Sequence, residues 1–517
     1  MYTLADIPRK SALYFPEKEA VVFEDTRLTY RQLNCRINRL ANALTKMGLK
    51  PGNRLTVLAE NTHKYLEIYF AAAKLGLSTT PLNFRLSDDE IIHILNDCEA
   101  TCFFVGDGYE ERALKMQDRL KTIDAWIALD QKMPDYILYE EMLNDASEAE
   151  PEVEVGENDL AVLMYTGGTT GLPKGVMLSH RNIMTGVMNA NLISHITSDD
   201  STCFVLPLFH VSFWPAFCLM LAGGKVAINR KPDLNEILRI IQDEGCTHMN
   251  AVPTVYGWLL QLGNPDDYDL TSLKVLSYAG SPFPPEILKQ CMEKFGPIFS
   301  QGYGATETAG GAISFLPEKD HALSGPKTRL LVSAGRAALC SEICIVDKEG
   351  HALPANEVGE ITVKGEHVMM GYWKNPEQTK KALRGGWYHT GDMGYMDEDG
   401  YLFMLDRKAD MIVTGGENVY PKEVEDVLYE HPAVSMAAVV SAPDEKWGER
   451  VQGVVVLKPD QQVTEKELVD FCKEKLGGYK CPKSVVFWDA IPTTPIGKIL
   501  RKDVKKKFWE GHDRSIG

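Results

Sequence analysis

The densest chemistry in the chain lies in residues 165–175, YTGGTTGLPKG. Gly167, Gly168 and Gly171 let a backbone turn its N–H groups onto an anion, Thr166, Thr169 and Thr170 add hydroxyl donors, and Lys174 brings a mobile positive charge. A plain surface turn needs only one or two glycines, so the segment reads as a cradle for phosphate. It departs from the nucleotide loop of kinases and ATPases, which requires Gly-Lys followed by Ser or Thr: Pro173 precedes Lys174 and Gly175 follows it.

A second set of candidate ligands stands in QGYGATET, residues 301–308. Tyr303 offers a flat face to a base, Thr306 a hydroxyl to a phosphate, and Glu307 a carboxylate suited to a hard divalent cation among phosphate oxygens. Gln301, Gly302 and Gly304 complete this segment, and Ala309, Gly310, Gly311 and Ala312 follow it. His210 closes PLFH, where a lone histidine can as readily be packed as reactive. Lys498 heads a basic run to Lys507 that otherwise reads as a solvated helix face.

These residues need a scaffold, and the pattern of the chain predicts one. Residues 20–102 alternate short β-rich runs with amphipathic helices, the rhythm of a largely parallel sheet, and four further strand candidates follow at 225–229, 247–253, 273–280 and 297–304. Ligands in such sheets sit in the loops at the carboxyl ends of the strands. After about Ala334 the texture turns to hairpins, and beyond Asp406 the order helix (421–431), strand (437–441), strand (451–458), helix (464–476), strand (484–488) predicts a compact α+β unit. The fold class is α/β: a large N-terminal domain of stacked βαβ-type sheets with a β-rich subdomain, residues 1–405, and a small α+β domain, residues 406–517.

Bulk properties narrow the partners. At 517 residues and 44% apolar content the chain supports several folding units. A net charge of −17 lacks the broad positive field with which nucleic-acid binders neutralise phosphates. The longest apolar stretch, 211–224, is too short to span a bilayer and is interrupted by Pro215. The start shows no secretion signal, so a cytoplasmic location is expected. The 11 cysteines are spread without zinc-ligand spacing, and buried free thiols are expected.

The loop at 165–175 resembles the signature of the adenylate-forming superfamily, which includes acyl-CoA synthetases, peptide-synthetase adenylation domains and beetle luciferases. PLFH (207–210), SYAGSPFP (277–284), QGYGATET, SAGR (333–336), YHTGD (388–392), DRKADMIVTGGENVYP (406–421), PIGKILR (495–501) and an N-terminal LTYRQL recur in the order of that superfamily and cover nearly the whole chain. The resemblance implies an ATP-dependent acid–thiol ligase: an acyl-CoA synthetase that binds ATP, Mg²⁺ and coenzyme A, activates a carboxylate as an acyl-adenylate, and passes the acyl group to the thiol. It also implies that Ala279, Gly280, Ser281 and Pro282 wrap the adenine, that Asp392 and Arg407 hold the ribose, and that Lys498 bridges the attacking carboxylate and the α-phosphate. The C-terminal domain is implied to rotate between the two steps, bringing Gly415, Gly416 and Glu417 to the pantetheine channel beside Trp447 and Tyr479. Many relatives place Asp or Lys at the hinge position, where this chain has Ala409. His210 is implied as the gate between acyl pocket and thiol channel. The pocket is assigned to Phe213, Trp214, Val252, Pro253, Tyr256, Gly302 and residues 309–312, mostly apolar, which suits a medium-chain, aromatic or alicyclic acid. The alternative, a stand-alone adenylation enzyme loading a carrier protein, is disfavoured for amino acids because residues 210–213 offer no Asp for an amine. The oligomeric state stays open between monomer and homodimer.

Overall fold

The computed structural model describes residues 3–166, 173–262, 264–407, 410–414, 416–444, 446–493 and 499–510. Two mixed sheets form the large domain. The nine-stranded one has a parallel centre of Phe299–Ala305, Val275–Tyr278, His248–Ala251, Ser201–Phe204, Lys225–Ile228 and Glu19–Phe23, closed at its edges by antiparallel strands. The eight-stranded one is parallel through Leu160–Thr166, Ser78–Pro81, Arg54–Leu58, Cys102–Val105 and Ala125–Ala128. It ends on the antiparallel pair Lys174–Ser179 and Gly371–Tyr372.

The expected stacking of sheets is present, and the early strands divide between them: Glu19–Phe23 pairs with Lys225–Ile228 (Val21 opposite Val226), while Arg54–Leu58 lies in the other sheet. Hydrophobic periodicity identifies a buried strand without saying which sheet receives it.

Helix His63–Leu75 is buried at every residue, and Tyr69 and Phe70 pack their rings on Phe213 and Phe217 of the neighbouring segment. So complete a burial takes charged side chains out of water, and each one is paired. Glu67 accepts from the Arg36 Nε at 2.9 Å and from the Tyr139 hydroxyl at 2.7 Å, while the Lys74 ammonium reaches Asn34, Asn38 and Glu150. The LTYRQL motif proves to be a capping box: Thr29 and Gln32 exchange hydrogen bonds at the start of helix Tyr30–Lys46.

The β-rich subdomain is a five-stranded sheet in which Trp387–Met396 pairs with Gly359–Lys364 and Leu402–Arg407. The small domain packs Pro421–Tyr429 and Glu465–Lys475 on a sheet of Glu417–Val419, Ile412–Thr414, Gly448–Leu457, Val434–Asp444 and Ser484–Phe487. The predicted elements of this domain are all present, within a few residues at their ends. No helix among the described residues is long and apolar enough to cross a membrane. All 11 cysteines are free, and burial holds for most of them, but Cys340 is exposed on a loop.

Candidate active site

The glycine-rich segment joins two antiparallel strands in the sequence. Leu160–Thr166 runs antiparallel to Lys174–Ser179, with Thr166 opposite Lys174 and Tyr165 opposite Gly175. Gly167, Gly168, Thr169, Thr170 and Gly171 lie outside the described residues, but both feet of their loop are fixed. Gly175 is needed there: a Cβ would stand 2.9 Å from the Leu163 side chain and 3.1 Å from Trp373 Cβ. The strand Gly371–Tyr372 lies along the outer side of this hairpin, so the Tyr372 ring comes under the Lys174 ammonium, 5.0 Å from Nζ to ring centroid.

Tyr372 also donates its hydroxyl to Glu307 Oε1 at 2.8 Å. One side chain therefore joins the loop lysine to the acidic residue of QGYGATET. Burial, reinforced by the Glu307 carboxylate, pushes the Tyr372 phenol well above its ordinary range, so it stays a donor. Glu307 sits in the short turn Thr306–Thr308 that follows strand Phe299–Ala305, and Thr308 Oγ1 fixes this turn by accepting from the Ala305 N–H at 2.9 Å.

Glu307 and the neighbouring Thr306 hydroxyl are hard oxygen donors, a set compatible with Mg²⁺, which keeps most of its water and takes one or two carboxylates plus phosphate oxygens.

Asp392 is placed by register. It stands opposite Arg407 in the pair Trp387–Met396 and Leu402–Arg407, with Arg407 Nε 3.7 Å from its Oδ1. Tyr303 donates its hydroxyl to Asp392 Oδ2 at 2.7 Å, and the residue is only 7% exposed. In this conformation Tyr303 therefore orients the carboxylate and presents little open face to a base. Ala279, Gly280, Ser281 and Pro282 form the loop after strand Val275–Tyr278, partly or fully exposed, with Gly280 at φ +85°.

His210 is exposed and precedes the short turn Val211–Phe213. The segment before it is held from beneath: Asn61 accepts from the Leu208 N–H at 2.8 Å and donates to the Leu206 and Asn229 carbonyls, while Tyr69 donates to the Leu208 carbonyl.

The pocket residues divide. Trp214 is half-buried, and Val252 lies near Gly280, 3.8 Å from where a Cβ would stand. Phe213 and Tyr256 are fully enclosed, Phe213 against Tyr69 and Phe217, Tyr256 with its hydroxyl on the Met249 and Ser277 carbonyls. In this conformation these two act as packing behind the wall. Pro253 is likewise buried, at the start of helix Pro253–Leu262.

In the small domain Thr414 pairs with Gly448, which brings the turn at Gly416 and Glu417 beside exposed Trp447. Tyr479 is exposed beyond helix Glu465–Lys475. Ala409, Gly415 and Lys498 lie outside the described residues. The described residues flanking Lys498 are fixed: Thr493 bridges Ile499, the Leu500 N–H donates to the Pro492 carbonyl at 2.9 Å, and Arg501 pairs with Glu425 and Asp406. Tyr372, Asn61, Tyr69 and Arg501 were not among the residues singled out from the sequence. Only Arg501 stood inside a quoted motif.

The chain is similar to known proteins along nearly its whole length. Residues 9–373 match the family described as AMP-binding enzyme, and residues 423–498 match the AMP-binding enzyme C-terminal domain. A feruloyl-CoA synthase of Amycolatopsis sp is 36% identical over 508 residues, 98% of this chain and 99% of the relative. A long-chain-fatty-acid–CoA ligase of Mycobacterium tuberculosis is 33% identical, covering 97% of both chains. Among solved structures, an anthranilate CoA ligase in complex with anthranoyl-AMP superposes with a TM-score of 0.90 at 26% identity, covering 97% of this chain and 96% of that one. Motif order, sheet topology and full-length similarity converge: the chain belongs to the AMP-binding enzyme family of the adenylate-forming superfamily.

Proposed function

We propose that the protein is an AMP-forming acyl-CoA synthetase, an ATP-dependent acid–thiol ligase acting on a medium-sized carboxylic acid. The observation that carries this reading is the Lys174–Tyr372–Glu307 link, which ties the phosphate loop to the carboxylate beside Thr306.

A carboxylic acid of pKa ~4 to 5 is already ionised at neutral pH, so its oxygen attacks the α-phosphorus without a general base. An O–P bond forms to the acid, and the bond to pyrophosphate breaks. The protein's work is positioning and charge neutralisation. The hairpin loop from Thr166 to Lys174 holds the phosphates, Thr306 adds a hydroxyl, and Lys498 screens the repulsion between the two anions. Glu307 would hold Mg²⁺, which supplies further neutralisation of the phosphate oxygens. Asp392, oriented by Tyr303 and Arg407, receives the ribose hydroxyls, and the loop 279–282 encloses the adenine.

In the second step the coenzyme A sulfur, as thiolate, attacks the acyl carbon and AMP departs with the electron pair of the broken C–O bond. His210 gates that encounter, and Glu417, Trp447 and Tyr479 border the pantetheine. Residues 406–517 form the unit that moves between steps. Asp406 supports that division: its backbone pairs with Met393 of the large domain, whereas its side chain takes Arg501 and the Lys422 N–H of the small one.

The test is release of AMP and pyrophosphate from ATP over a panel of carboxylic acids, with and without coenzyme A. Acid-dependent pyrophosphate release and coenzyme-dependent AMP release are expected. Failure to form a mixed anhydride with every acid would refute the assignment.

A further inference from the structure

In the acyl-CoA synthetase reading, residues 279–282, Asp392 and Lys498 take the adenine, ribose and α-phosphate of ATP. The loop between Thr166 and Lys174 is left to receive the two phosphates that depart as pyrophosphate, so the placement of its two feet decides how well they are met.

Both feet lead to one residue, Asp97, the last of helix Asp88–Asp97. Tyr165, directly before Thr166, donates its hydroxyl to Asp97 Oδ2. On the other strand Gly175, directly after Lys174, accepts from the Trp373 N–H at 2.7 Å, and the Trp373 indole N–H donates to the Asp97 backbone carbonyl at 3.0 Å. The Lys374 ammonium reaches the same carbonyl at 2.8 Å. Little slack is left between the feet: a Cβ on Gly175 would stand 3.1 Å from both Tyr165 Cζ and Trp373 Cβ.

The grip has a packed base. Ile91, Ile94 and Leu95 of the helix are buried in one apolar cluster with Leu163, against which Tyr165 and Trp373 pack. The helix carries Asp88, Asp89 and Glu90 in its first turn, where its dipole favours them. Asp97 stands at the opposite end, where a carboxylate is disfavoured and the last turn holds no basic residue. The Tyr165 hydroxyl meets this charge.

We infer that Asp97 is a positioning residue for ATP, its carboxylate holding the Tyr165 foot of the phosphate loop and its carbonyl the Trp373–Gly175 foot. This rests on the acyl-CoA synthetase reading. Asp97 acts through the loop, so its effect falls on ATP and not on AMP or the acyl-adenylate, which lack the departing phosphates.

The experiment compares wild type, Asp97→Ala, Asp97→Asn, Tyr165→Phe and the double variant Asp97→Ala with Tyr165→Phe. It measures kcat/KM for ATP in pyrophosphate release with benzoate, cinnamate, hexanoate and dodecanoate, AMP binding by equilibrium dialysis, and thioester formation from pre-made acyl-adenylate. Asp97→Ala and Tyr165→Phe should each lower kcat/KM for ATP at least about tenfold, as expected for loss of a hydrogen bond to a charged group, while AMP affinity and the thioester rate stay within about twofold. Asp97→Asn, whose amide oxygen still accepts from the phenol, should recover most of the loss. The double variant should lose little more than either single one, because the two side chains act as a pair. Tyr165→Phe keeps the ring and carries the test alone if Asp97→Ala is insoluble. The inference is overturned if kcat/KM for ATP stays within about twofold of wild type in the soluble variants that break the pair, or if AMP binding and the thioester step fall in parallel with it. Absence of pyrophosphate release from wild type with every acid would instead overturn the functional assignment.

Discussion

Arg501 is the most demanding test of how the Lys498 segment is held. Its Nη1 lies 3.2 Å from Asp406 Oδ1 and its Nε 2.9 Å from Glu425 Oε1, with both carboxylates almost wholly buried. At an effective dielectric near 20 each contact carries roughly 5 kcal/mol of direct attraction, most of it offset by the cost of drying the ions. Arg501→Gln leaves two buried carboxylates without their cation, a change that costs about 3 to 5 kcal/mol when a buried pair is broken. Burial already pushes the Asp406 carboxyl up to about 6 against the pull of Arg501. Without the guanidinium it rises further above its unfolded value of ~3.9. A carboxyl raised by folding stabilises the native state below its unfolded pKa, and that contribution is lost as pH climbs through the folded one. The penalty of Arg501→Gln is therefore larger at pH 8 than at pH 5.5. Urea unfolding of wild type, Arg501→Gln and the double variant with Asp406→Asn, followed by circular dichroism at both pH values, measures it. The double variant should recover part of the loss. A penalty under about 1 kcal/mol at pH 8, or one equal at the two pH values, would refute the reasoning.

Four further outcomes are expected. Lys498→Ala abolishes adenylate formation but spares thioester formation from pre-made acyl-adenylate; equal loss in both half-reactions would contradict the rotating-domain account. Tyr372→Phe, which breaks the hydrogen bond to Glu307 and keeps the ring under Lys174, lowers the adenylation rate and weakens its Mg²⁺ dependence, since a hydrogen bond to a charged group contributes about 1.5 to 3 kcal/mol; a Mg²⁺ titration reads this directly. Asp392→Ala weakens ATP binding in equilibrium dialysis while the far-ultraviolet spectrum stays native. Gly304→Ala forces a Cβ against the Gly310 carbonyl, and thermal scanning should show destabilisation at the upper end of single substitutions, above about 4 kcal/mol.

The sequence made some layers of this molecule legible and hid others. Strands, helices and the small domain follow from periodicity, because burial of one face leaves its mark on consecutive residues. Glu307 stands out because glycines and hydroxyls crowd around it, whereas Asp392 is marked only by the resemblance of its motif to the superfamily's. Tyr372 does not stand out: GYWKNP carries no cluster of polar groups, and its meaning arises only when strand Gly371–Tyr372 docks on the hairpin at Lys174–Ser179. Asn61 and Tyr69 are similar, since their hydrogen bonds reach 139 residues or more along the chain. Local spacing holds no record of such pairings. The enclosure of Phe213 and Tyr256 was hidden for the same reason, because aromatic character does not tell a wall from the packing behind it.

The pairing of distant strands also governs how the polypeptide is born. Glu19–Phe23 waits for Lys225–Ile228 before it gains its parallel neighbour, and the outer flank of the phosphate hairpin stays bare until Tyr372 has been made. Until Lys225–Ile228 has been made, a ribosome-bound chain thus carries both unpaired strand edges, which attract other nascent chains. Truncations ending between residues 230 and 371 should accordingly aggregate unless chaperoned, and productive expression should favour slow synthesis at low temperature.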